Sequence, residues 1–154
     1  MREMHLLFCG LPGSGKSSWA RSTQNHFRFS HVIISTDAIR EKLYGSEETQ
    51  GSWAEISQEI TRQFEEAVAD GDYVIYDATN LSREHRAWPL EWLRSADPRF
   101  NKWEAVVVDL PVKNCWENNQ KRDRKVPLDV FLEMVDAFEM PQLNEGFERI
   151  TIIR

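Results

Sequence analysis

The sequence is poor in several things, and each shortage excludes a class of protein. Cys9 and Cys115 are its only cysteines in 154 residues, too few for a disulfide framework or a cysteine metal site, which points to a reducing cytoplasm. Its four histidines, His5, His26, His31 and His85, follow no metal-ligand spacing. No apolar run approaches the length of a membrane span. Met1-Arg-Glu-Met-His leads directly into the first apolar segment, so no secretory leader is expected. Net positive charge is missing too. The formal balance is -6, which argues against a globally basic nucleic-acid-binding surface but leaves room for a local basic groove. There is no internal repeat and no low-complexity tail. What is present is bulk: 41% hydrophobic residues, with six tryptophans and eight phenylalanines, enough for one globular domain over residues 1–154 with no obligate protein partner evident.

Five short apolar runs alternate with helical patterns. The runs are Met4–Cys9, His31–Thr36, Tyr73–Tyr76, Ala105–Val108 and Ile150–Ile153. Between them, Trp53, Ile56, Ile60, Phe64 and Val68 recur at spacings of three and four, which predicts one helix face. Ser52 and Glu55 read as its capping box, and Gly71 as its C-terminal stop. Residues 82–96 read as a helix that Pro89 kinks or splits. Pro127 favours the start of another, with Val130, Phe131, Met134, Val135 and Phe138 as its buried stripe. The tryptophans can be read as a base-stacking set, Trp53 on the amphipathic stripe and Trp88 and Trp92 four apart on a helix, but most are expected in the core. Gly45–Gly51 is polar and bounded by glycines, a loop expected to be mobile. The alternation implies an α/β fold: a five-stranded parallel sheet with helices on both faces, and ligands at the C-terminal ends of the strands.

Polar groups follow those strand ends. Gly10-Leu11-Pro12-Gly13-Ser14-Gly15-Lys16-Ser17 fits the phosphate-binding P-loop pattern and stands between a strand and a helix, as that pattern requires. Its glycines bring backbone N–H groups close to a polyphosphate, and the helix start adds its own. Ser18 extends this cradle. Lys16 is expected on the β- and γ-phosphates and the Ser17 hydroxyl on Mg²⁺. Asp37 follows the second strand and suits a general base for an acceptor hydroxyl, or alternatively a helix N-cap, as does Thr36. Arg40 is one turn further on, an acceptor contact or a solvated charge. Asp77 ends the third strand and either binds Mg²⁺ or orders the turn, with Thr79 structural and Asn80 at the site. Arg83 and Arg86 share a helix face that either meets an anionic acceptor or is solvated. Lys121-Arg122-Asp123-Arg124-Lys125 is either a solvated loop or a lid whose arginines close over the phosphates.

Taken together these segments resemble the P-loop 5′-hydroxyl polynucleotide kinases, with the kinase domain of the phage T4-type enzymes among them, and the wider group of small P-loop kinases. The resemblance spans nearly the whole chain. It rests on Gly10 to Arg21, Ser35-Thr-Asp37 with Arg40, Asp77-Ala-Thr-Asn80 with Arg86, Asn118 to Arg122 with Val126-Pro127, and Glu145-Gly-Phe147. It implies a three-layer P-loop kinase fold with a basic lid at about residues 112–127, and ATP and Mg²⁺ as cofactors. It further implies Asp37 as base, Lys16 and Ser17 at ATP and Mg²⁺, and Arg122 on the transferring phosphate with Arg124 assisting. The implied acceptor is the 5′-hydroxyl of a DNA or RNA end. A small hydroxyl compound (a sugar, nucleoside or antibiotic) is the alternative, and the acidic net charge fits it at least as well. A non-catalytic nucleotide-binding switch is the third reading, disfavoured because a switch does not need both a base-like Asp and a basic lid.

Overall fold

The computed structural model describes residues 4–26, 30–45, 51–96, 98–123 and 125–154. The polar loop residues 46–50 and Arg124 lie outside them. Strands β1 (His5–Cys9), β2 (His31–Ser35), β3 (Tyr73–Asp77), β4 (Trp103–Val108) and β5 (Phe147–Ile153) form one sheet in the order β2-β3-β1-β4-β5, every pair parallel. Parallel pairing needs crossovers, and helices α1 (Lys16–His26), α2 (Thr36–Tyr44), α3 (Trp53–Asp70), α4 (Arg83–Ala96), α5 (Val112–Gln120) and α6 (Leu128–Ala137) supply them.

Alternate residues of the strands serve opposite faces. Leu7 and Cys9 of β1 join Ile34, Ile56, Ile60, Phe64 and Leu93 in the larger core, on the side of α2, α3 and α4. Leu6 and Phe8 face the other way and pack with Ile75, Val106 and Ala20 of α1. A third cluster, Leu11, Leu81, Cys115, Val126 and Phe131, joins the P-loop to α5 and α6. The α/β expectation therefore holds. Burial also explains the cysteines: Cys9 is fully enclosed and its thiol is pushed up to about 12, which keeps it an inert apolar group.

Several local expectations are corrected. The cap of α2 is Ser35, whose hydroxyl accepts the Ala38 N–H at 3.2 Å, so neither Thr36 nor Asp37 is spent on capping. Ser52 caps α3 without a side-chain hydrogen bond, and Glu55 accepts from the Tyr44 hydroxyl at 3.3 Å, so no capping box forms. α4 runs as one helix through Pro89, which is buried in the packed face. Trp53 is 56% exposed and stands outside the core that the rest of its stripe enters.

Candidate active site

The P-loop obtains its shape from two glycines and one close approach. Gly13 and Gly15 have φ of 82° and 92°, where a side chain is strained. A Cβ at Gly13 would also collide with the Cys115 carbonyl oxygen of α5. Asn118 of the same helix donates to the Gly13 carbonyl at 3.0 Å. The loop is tied at its entry as well: the Gly10 N–H donates to the Thr79 carbonyl at 3.1 Å. Gly13, Gly15, Lys16, Ser17 and Ser18 line one lobe of the crevice above the sheet. Burial depresses the Lys16 ammonium below its ordinary value, against the pull of Asp77 and then Asp37. A lysine held this way gains when a polyphosphate arrives.

Beside the loop, the Ser17 hydroxyl donates to Asp77 Oδ2 at 2.7 Å, and Asp77 is 4% exposed. A hydroxyl and a carboxylate adjoining a phosphate cradle are hard oxygen donors, and they fit Mg²⁺, which takes few protein ligands and completes its shell with water and phosphate oxygens. Among the described residues no group of three or more His, Cys, Asp and Glu forms an all-protein metal cage.

Asp37 enters the crevice from the first turn of α2. Arg40 Nη1 reaches its Oδ1 at 3.2 Å and Arg122 Nη2 its Oδ2 at 3.3 Å. Arg122 is delivered by a fastened loop. The buried Asn119 side chain donates to the Val126 carbonyl at 2.9 Å and accepts the Val126 N–H at 3.1 Å, closing the turn on which Arg122 stands. The basic run thus supplies Arg122 to the crevice, where it meets the carboxylate that sequence spacing had marked as the base.

Two predicted acceptor contacts are placed elsewhere, and a third is tied down at the crevice wall. Arg86 is fully buried. It donates to Glu145 at 2.8 and 3.2 Å and to the carbonyls of Asn80 and Leu81 at 2.9 and 3.2 Å, leaving nothing for a ligand. Burial opposes ionisation of Glu145, but the Arg86 bonds and the Gln142 N–H outweigh it and hold that carboxyl low. Arg83 turns to Asn144, donating to its Oδ1 at 2.6 Å. Asn80 lies at the crevice wall with φ of 48°, yet its amide donates to the Phe8 carbonyl at 2.8 Å and is 4% exposed. These residues brace the strand ends behind the site. Beside Asp37 and Arg40 opens a space of about 530 Å³ whose walls include Trp53, Tyr76, His85, Trp88 and Met134. The sequence offered the tryptophans as a base-stacking set but favoured the core for most of them, and it gave no signal for Tyr76, His85 or Met134.

Fold and site together define an α/β domain with a P-loop and the P-loop kinase fold. A family model described as an AAA domain matches residues 6–141, and the chain belongs to that family. Two curated relatives are similar to it. The transcription factor bHLH140 of Arabidopsis thaliana is 26% identical over 97% of this chain and 16% of its own length. The L-seryl-tRNA(Sec) kinase of Methanococcus maripaludis is 24% identical over 90% of this chain and 53% of its own. The chain thus spans about half the length of the second relative and far less of the first. Among solved structures, a chain of the Pnkp1/Rnl/Hen1 complex is 25% identical with a TM-score of 0.55, covering 81% of this chain and 40% of that one. No helix among the described residues is long and apolar enough to cross a membrane.

Proposed function

We propose that this chain is an ATP-dependent kinase that transfers the γ-phosphate to an acceptor hydroxyl, with the 5′-hydroxyl end of DNA or RNA as the acceptor. The observation that carries the reading is the convergence of Lys16, Asp37 and Arg122 on one crevice between a phosphate cradle and an aromatic-walled lobe. The acceptor proton passes to Asp37, the acceptor oxygen bonds to the γ-phosphorus, and the bond from that phosphorus to the β–γ bridging oxygen breaks to release ADP. Lys16 holds the β- and γ-phosphates. Arg122, drawn from Asp37 to the phosphoryl oxygens, offsets the charge that develops there. Ser17 and Asp77 would hold Mg²⁺, which would supply Lewis-acid neutralisation of the phosphates. In the free site the Arg122 and Arg40 bonds hold the Asp37 carboxylate aimed into the crevice.

The likeness to the Pnkp1 complex chain supports a nucleic-acid end, and the seryl-tRNA(Sec) kinase is a relative whose name gives an RNA-borne acceptor. A small-molecule acceptor is the second reading. What favours it is the loss of Arg83 and Arg86 from the crevice, which leaves Arg40 as the acceptor-side cation among the described residues that line it. The test is transfer from γ-labelled ATP to 5′-hydroxyl oligonucleotides, nucleosides, sugars and aminoglycosides. Labelling of oligonucleotide ends that disappears in Asp37→Ala and Arg122→Ala is the expected result. Labelling of a small molecule alone overturns the first reading.

A further inference from the structure

We propose that Trp53 and Trp88 form a specificity corner in the acceptor lobe, stacking the base of a nucleoside-type acceptor beside Asp37; this rests on the phosphotransfer reading of the crevice. Trp53 opens α3, and the residues that continue its stripe, Ile56, Ile60 and Phe64, are at most 2% exposed, yet Trp53 leaves more than half of its surface in water. It is not a scattered surface residue, because it adjoins Trp88 on the wall of the same space, and a contiguous exposed apolar face is what marks a binding site. Its ring lies 5.9 Å from that of Trp88 at an interplanar angle of 70°. Trp88 packs against the main core and forms the fixed wall, while Trp53 forms the wall open to solvent. Two planes set this way make a corner in which a flat ring stacks on one indole and meets the edge of the other.

The same lobe contains Asp37 and Arg40, so a ring held in the corner carries its hydroxyl into the space shared with the base candidate. The chemistry favours a base over a carbohydrate. A sugar must find a polar partner for each hydroxyl it buries, and the stacking faces of the two indoles offer none. A nucleobase offers an apolar face that stacks on tryptophan whatever its sequence.

Calorimetric titration of thymidine 3′-monophosphate and of its base-less counterpart, 1,2-dideoxyribose 3-phosphate, tests the corner without requiring turnover. The intact protein is expected to bind the thymidine probe about tenfold or more tightly than the base-less one. Trp53→Ala should erase that difference, and Trp53→Phe should keep part of it. Thermal unfolding of each variant reports whether the fold survives, as it should for a side chain so exposed. Equal binding of the two probes, absence of measurable thymidine binding, or an unchanged preference in Trp53→Ala overturns the proposal. So does tighter binding of glucose than of thymidine with the same dependence on Trp53. Base-dependent binding without phosphate transfer to any acceptor would instead refute the kinase reading and leave the corner standing.

Discussion

The two ends of the crevice are made in different ways. The phosphate end is one continuous stretch, Gly10 to Ser18, shaped by backbone dihedrals and presenting N–H groups, with Lys16 as its cation. The end proposed for the acceptor is assembled from side chains of α2, α3, α4, α6 and the loop after α5, segments as far apart as Asp37 and Met134. A triphosphate is the same object in every P-loop protein, so a contiguous backbone device suffices for it. An acceptor varies, and side chains on separate helices can be exchanged without disturbing the cradle.

The difference can be broken or sharpened by substitution. Asp37→Asn should have the largest effect, lowering phosphoryl transfer about 10²–10⁴-fold while equilibrium binding of an ATP analogue holds. Equal loss of both would mean that the two ends are not separable. Arg86→Ala strikes neither end directly. It leaves Glu145 buried without its partner and the carbonyls of Asn80 and Leu81 without their donor. A loss of about 3–5 kcal/mol is expected in urea unfolding, whereas a solvated surface arginine would cost next to nothing. Gly13→Ala addresses the cradle alone. With φ of 82° and the Cys115 carbonyl in the way, it should cost about 1–3 kcal/mol and weaken ATP-analogue binding by about tenfold, with acceptor binding unaffected.

The smallest effect lies outside the crevice. Hydrogen bonds from Arg62, against the cost of burial and with help from Lys42 and Gln63, hold the Glu59 carboxyl at about 2. Because the folded value is depressed, its contribution is complete above the ordinary carboxylate range near 4.5 and is lost as pH falls toward 2. Arg62 is half exposed, so screening reduces that contribution to about 1 kcal/mol. Glu59→Gln should flatten the stability profile between pH 5 and pH 2 by about that amount, measured by thermal unfolding, and leave both ends of the crevice intact.

Legibility in the sequence followed this same division. The strands were readable because each is a short apolar run, and the P-loop because its spacing is itself the geometry. Asp37 could be named from its place after β2, but its competing role as a cap was resolved only by the Ser35 hydroxyl taking the Ala38 N–H. Arg83 and Arg86 illustrate the opposite case. A helix-surface spacing said that they shared a face, yet α4 and the turn at Leu143–Glu145 placed one against Asn144 and buried the other against Glu145. Trp53 obeyed the periodicity of its helix and still stands mostly outside the core at the first position of α3, where its ring meets Trp88.

By itself, then, the order of residues determined the α/β alternation, the phosphate cradle and the presence of a carboxylate after β2, since each depends on neighbours in the chain and on local backbone conformation. Tertiary structure decided which charges face the crevice, that Arg122 reaches Asp37, and that two tryptophans wall the acceptor lobe. Those outcomes depend on how separate helices pack over one end of a sheet, which periodicity within a single helix does not encode.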